Sequence, residues 1–137
     1  MKALTIWQPW AWAIAEGYKP IENRGWRPHW MLGKRFAIHA GMKYELAAVP
    51  QMISLGLTPP SPTGLFGGCI VAVAILDSIV TESDSPWFCG PYGLVLRDVV
   101  KIKPGVSVRG KQGFWDLPSN LAAEVEKRLL EARGKAA

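Results

Sequence analysis

Gly67-Gly68-Cys69-Ile70-Val71-Ala72-Val73-Ala74-Ile75-Leu76 contains the longest apolar run of the chain and decides its fold. No polar residue alternates with the apolar ones, so both faces of the element must be buried, as in a central strand or a barrel stave. The β-branched residues Ile70, Val71, Val73 and Ile75 favour an extended backbone over a helix. The glycine pair at the entrance marks a bend or the close approach of another backbone. It is not a dinucleotide-binding fingerprint, because the G-x-G-x-x-G spacing and the following helix are both missing. A strand is therefore expected within residues 65–80, at the centre of a sheet.

Working upstream from that strand, Thr58-Pro59-Pro60-Ser61-Pro62-Thr63-Gly64 reads as a surface loop. Residues 41–56 read as a helix kinked or divided at Pro50. Residues 34–40 form a second strand, with Phe36 and Ile38 on one face and Arg35, Ala37 and His39 on the other. Residues 21–24 and 3–6 are two further short strands. Between them, Pro9 sits where a helix starts and Gly17 where it stops, since proline suits the first helical position and glycine the left-handed position after the last turn. Downstream, residues 81–91 form an acidic loop, a lid over a pocket or a plain connection. Strands follow at 92–96 and 99–102, separated by a turn at Arg97-Asp98. Leu121, Val125 and Leu129 recur every fourth residue and mark an amphipathic C-terminal helix at 118–134. Short strands with helices inserted among them point to an α+β fold, a small six-stranded β-barrel with flanking helices.

At 137 residues and 49% hydrophobic content, the chain has the material for one domain with a real core. Its formal charge of +5 is unevenly placed: residues 1–43 hold seven cations against two carboxylates, and the remainder cancels. Clustered Lys and Arg focus a positive potential, which favours an anionic partner such as nucleic acid. Two cysteines with no short Cys or His spacing argue against a zinc site or a disulfide framework, and neither a metal nor a cofactor is expected. No stretch has the length and apolarity of a signal peptide or membrane span, so the expected setting is cytoplasmic with no membrane partner.

The functional signal lies in Gly17-Tyr18-Lys19-Pro20-Ile21-Glu22-Asn23-Arg24-Gly25-Trp26, which follows Trp7-Gln8-Pro9-Trp10-Ala11-Trp12. Pro20 keeps Lys19 out of the α region, so the chain leaves the helix in a turn that can aim the lysine. On the strand after it, Glu22 and Arg24 point to one face. Taken alone, that is an ion pair on a strand surface, worth at most ~1 kcal/mol. Cations and large rings alternate on both sides of it, however, and Val108-Arg109-Gly110-Lys111-Gln112-Gly113-Phe114-Trp115 repeats the pattern. The candidate ligand-binding residues are Lys19, Glu22, Arg24, Trp7, Trp26, His39, Lys111 and Trp115. Lys19, Glu22 and Arg24 are the candidate catalytic set.

Leu4-Thr5-Ile6-Trp7-Gln8-Pro9-Trp10-Ala11 followed by Gly17-x-Lys19-x-x-Glu22-x-Arg24 resembles the signature of the ASCH domain, a branch of the PUA-like barrel superfamily. The resemblance runs over roughly residues 3–117 and takes in the Gly68 strand and the Gly110-to-Trp115 segment. It implies a six-stranded barrel with a cleft at the G-x-K-x-x-E-x-R motif and a role in binding RNA or nucleotides. Some relatives are ribonucleases, and some deacylate acetylated cytidine with a lysine matching Lys19 and a threonine where this chain has Glu22. That replacement removes the hydroxyl the deacylase chemistry uses.

Two functions are compatible with these residues. In the first, the protein is a binding module for single-stranded RNA or a nucleotide, with DNA as an alternative. Lys19 and Arg24 then hold phosphate, Trp7, Trp26 or Trp115 stacks on a base, and Glu22 accepts from a base edge. In the second, it is a metal-independent hydrolase of RNA or acylated cytidine-type nucleosides. Glu22, or His39, is then the general base, Lys19 stabilises developing negative charge and Arg24 orients Glu22. A carboxylate held between two cations suits a ligand anchor better than a base poised near neutrality.

Overall fold

The computed structural model describes residues 1–136. Six strands and three helices follow in the order β1 (Lys2–Gln8), α1 (Trp10–Ala15), β2 (Ile21–Arg24), β3 (Arg35–Tyr44), α2 (Ala48–Ser54), β4 (Cys69–Val80), β5 (Tyr92–Ser107), β6 (Phe114–Asp116) and α3 (Ser119–Ala136), with short 3-10 turns at His29–Met31 and Pro62–Gly64. The strands form one mixed sheet in the order β2-β5-β4-β3-β1-β6. β1 and β3 run parallel, and the other neighbours are antiparallel.

The apolar run does sit in the interior of the sheet, as β4 between β3 and β5. Its side chains serve two cores. Ala72, Ala74 and Leu76 join Leu4, Ile6, Phe36, Ile38 and the α1 residues Ala11 and Ile14 on one face. Ile70 and Val73 join Ala3, Ala37, Trp115 and the α3 residues Val125 and Leu129 on the other. Burial on both faces is why no polar alternation is visible in the sequence. Gly67 shows what the glycine pair is for: a Cβ there would stand 2.5 Å from the Gly41 carbonyl oxygen. The two backbones touch only because that side chain is absent.

Several sequence expectations need correction. The residues expected to begin a helix at 41 instead extend β3 to Tyr44, and α2 is a short helix with Pro50 in its first turn, where no N–H is required. Arg97-Asp98 is not a turn between two strands. β5 is continuous through it, the ladder to β4 shifts register there, and Asp98 takes a left-handed φ of 50°. A bulge of this kind inserts a residue and bends the strand without ending it. The count of six strands survives because β6, too short to show a pattern, replaces the strand lost by that merger.

The sheet does not close into a barrel. β2 pairs only with β5, and β6 pairs only with β1, over Lys2–Leu4. The two edge strands, of four and three residues, form no backbone ladder with each other. Side chains bridge the seam instead. Trp26, just beyond β2, packs edge-on against Phe114 of β6 at 5.9 Å, and Arg24 Nη2 donates to the carbonyl oxygen of Thr5 in β1 at 2.9 Å.

Candidate functional site

Along that seam lies a cleft of about 530 Å³, walled by Trp7, Trp10, Trp26 and Trp87, with Lys19, Glu22, Asn23, Arg24 and Glu45 among its polar lining. Local sequence builds each wall. The Gln8 side-chain oxygen accepts from the Trp12 amide at 2.8 Å, satisfying an N–H of the first turn of α1 that has no partner within the helix. This aims α1 so that Trp10 meets the cleft and donates its Nε1–H to Glu45 Oε2 at 2.7 Å. Gly17, at a φ of +86°, ends the helix, and the Tyr18 and Lys19 amides both return to the Ala13 carbonyl. The tight reversal swings Lys19 inward.

Lys19 is only 3% exposed and Glu22 8%. The ammonium donates to the Ile21 carbonyl and to Glu22 Oε1, the latter at 3.2 Å. The other carboxylate oxygen, Oε2, accepts from Arg24 Nε at 3.0 Å. Glu22 is thus held from both sides, and Arg24 Nη2 donates to the Thr5 carbonyl oxygen. Burial pulls the Lys19 pKa below the ordinary lysine value, and the Glu22 carboxylate offsets part of that pull. Two cations and two carboxylates line the cleft, so its formal charge cancels.

The 81–91 loop is a wall pinned to β2. Asn23 Oδ1 accepts from the Cys89 and Gly90 amides at 2.9 and 3.1 Å, and Asn23 Nδ2 donates to the Trp87 carbonyl at 2.8 Å. Trp87 is buried against Ala13, Ile21, Ala48 and Met52 and meets Trp10 edge-on at 6.4 Å. The free Cys89 thiol is exposed at the cleft edge.

Of the residues singled out from sequence, Lys19, Glu22, Arg24, Trp7 and Trp26 come together here. Trp7 remains 45% exposed, with Lys43 Nζ 4.2 Å from its ring centre. Arg24 lies over Trp26, whose ring also stacks nearly parallel on Trp30 at 6.4 Å. Trp115, His39 and Lys111 lie elsewhere. Trp115 is buried in the core beneath α3. His39, 1% exposed, sits edge-on to it at 5.3 Å and lines, with Lys111, a separate groove. Thr5 Oγ1 accepts from Trp115 Nε1 at 3.0 Å and lies 3.1 Å from His39 Nδ1, while His39 Nε2 lies 2.7 Å from the Val108 carbonyl. A carbonyl can only accept, so Nε2 carries the proton and Nδ1 accepts from the threonine hydroxyl. Burial lowers the His39 pKa and the Val108 carbonyl partly restores it, so the ring is a neutral structural link.

Sequence reasoning missed Trp10, Asn23, Glu45 and Trp87 as cleft residues. Trp10 reads as core from its spacing to Ile14. Asn23 sits beside Glu22 in the motif, and nothing in its spacing discloses a partner in the 81–91 loop. Among the described residues, no group of three or more His, Cys, Asp or Glu side chains is placed to hold a metal, and no helix is long and apolar enough to cross a membrane.

The family model described as the ASCH domain matches residues 4–127. Among solved structures, an ASCH protein from Zymomonas mobilis is similar over 95% of this chain and 93% of its own, with 17% identity and a TM-score of 0.57. A tyrosine-to-phenylalanine variant of the Zymomonas protein is similar over 92% of this chain and 96% of its own, with 16% identity and a TM-score of 0.60. At these identities the likeness is one of fold. No curated protein matches the chain in sequence.

Proposed function

The chain belongs to the ASCH domain family, and from that premise we propose that it binds single-stranded RNA by taking one nucleobase into the cleft. The observation that carries this reading is the combination of four tryptophan walls with cancelled charge. Lys19 and Arg24 are both engaged with Glu22 and with backbone carbonyls, which compensates part of the charge a phosphate would need. An uncharged planar ring suits such a site better than a phosphate: tryptophan rings pack on it, and Glu45, which accepts from Trp10 through Oε2, has Oε1 to offer its polar edge. The volume falls within the range of cavities that enclose small ligands.

Titration with nucleoside monophosphates, followed by tryptophan fluorescence, tests the reading. Trp7→Ala, which removes a half-exposed ring, and Trp26→Ala should each weaken binding by about 5- to 150-fold, the range measured for loss of one stacked base. Unchanged affinity in both variants would refute it.

A hydrolytic reading has one observation in its favour, the buried Lys19 with its lowered pKa against a carboxylate. It requires that purified protein release product from RNA or from an acylated cytidine. Turnover that persists in both Glu22→Gln and Lys19→Ala would take these residues out of the mechanism.

A further inference from the structure

On the other side of Thr5 lies a groove of about 790 Å³, bounded by the Gly41-Met42 stretch of β3, the Gly67-Gly68 pair and the 107–112 segment. Thr5 lines both cavities. Trp7 stands between them, since it lines the cleft and its ring lies 3.6 Å from the position a Cβ would take on Gly41 of the groove.

The groove differs from the cleft in charge. Arg109 and Lys111 line it and no carboxylate does. Both are exposed, and among the described residues neither forms an ion pair. Lys43, lying over Trp7, adds a third cation without a carboxylate partner among the described residues. The rim carries unexpected apolar surface as well: Met42 is 83% exposed and Phe66, next to the glycine pair, 86%. The segment is held in position from below. A Cβ on Gly110 would stand 2.6 Å from His39 Cε1, so the backbone bearing Arg109 and Lys111 rests directly on the buried histidine that Val108 anchors.

We propose that this groove is a second subsite, which carries the phosphodiester backbone of the nucleotides flanking the base held in the cleft. The proposal rests on the cleft reading for its starting point. Unpaired cations beside a flat exposed ring are what a sequence-tolerant single-strand track requires: Arg109, Lys111 and Lys43 meet phosphates, and Phe66 offers a face to a base. Continuity through Thr5 and Trp7 makes one strand the occupant of both cavities. The ligand class is then an oligonucleotide, bound more tightly than a free nucleotide.

The test compares a uridine monophosphate with eight-nucleotide oligouridylate and its deoxy counterpart, across a salt series. Wild type should gain affinity from monomer to oligomer. Arg109→Glu/Lys111→Glu should lose most of that gain, about tenfold or more, and its salt dependence should flatten by roughly 1.4 in log–log slope, two phosphate contacts at about 0.7 each. The charge-matched Lys127→Glu/Arg133→Glu on α3 controls for net charge and should keep the gain. A gain and slope unchanged by Arg109→Glu/Lys111→Glu would overturn the groove while leaving the cleft reading intact. Oligomer binding that depends on Arg109 and Lys111 but not on Trp7 or Trp26 would support the groove and refute the cleft. Equal loss in the α3 control would overturn the track in favour of bulk charge. Equal behaviour of the deoxy strand supports a backbone track, because the phosphodiester is common to both. No binding of either strand by wild type would overturn both readings.

Discussion

The cleft and the groove share Thr5 as a wall yet treat charge in opposite ways. In the cleft, Lys19 and Arg24 flank a Glu22 that is itself almost fully buried, and each cation spends a donor on a main-chain carbonyl. In the groove, Arg109 and Lys111 stand in water with no carboxylate partner among the described residues. A cation dense in the sequence is therefore not the same as a cation offered to a ligand. Lys2 and Arg35, also from the basic N-terminal third, are paired with Asp116 and Glu126.

The comparison can be broken most forcefully at Glu22. Glu22→Gln leaves the buried Lys19 and the half-buried Arg24 without their shared counter-charge, and loss of one member of a buried ion pair costs about 3–5 kcal/mol. Urea denaturation should record a loss of that size. A loss below ~1 kcal/mol would mean that the cleft cations are solvated well enough to act independently.

His39, under the groove, gives a smaller effect with a definite sign. Its folded-state pKa lies below the ordinary histidine value because burial disfavours the imidazolium. As pH falls, the unfolded chain takes up this proton first. The stability that His39 contributes is complete above its unfolded pKa of about 6.5 and is lost as pH drops from there toward the folded-state value. Below the folded-state value it loses no more. His39→Gln should remove this part of the slope in denaturation series across that window, and an unaltered slope would place the titration elsewhere.

The smallest expected effect is at Lys111. Lys111→Glu alters an exposed side chain with no ion-pair partner among the described residues, so stability should stay within about 0.5 kcal/mol of wild type by the same denaturation measurement. A cost comparable to that of Glu22→Gln would erase the distinction between the two cavities.

Much of the fold was readable because its signals are local. Eight apolar residues in succession announce β4, Pro9 and Gly17 bracket α1, and Leu121, Val125 and Leu129 place α3 against the sheet. The failures share a cause. The Arg97-Asp98 bulge, the continuation of β3 to Tyr44 and the three-residue β6 all depend on what lies across the sheet. Strand pairing is nonlocal, and a short segment takes its conformation from its partner as much as from its own residues.

By itself, the sequence determined the α+β class, the central strand and the shared face of Glu22 and Arg24, since strand alternation acts within a few residues, whereas the turn at Gly17 and Pro20 left the aim of Lys19 to the fold. Only the tertiary structure decided that the sheet stays open and that Arg24 reaches across its seam to Thr5. It also decided which rings line the cleft: Trp10 and Trp87 wall it while Trp115 is sealed beneath α3. A side chain's neighbours across the fold set its burial and the charge it leaves unpaired, and those neighbours come from strands and loops tens of residues away.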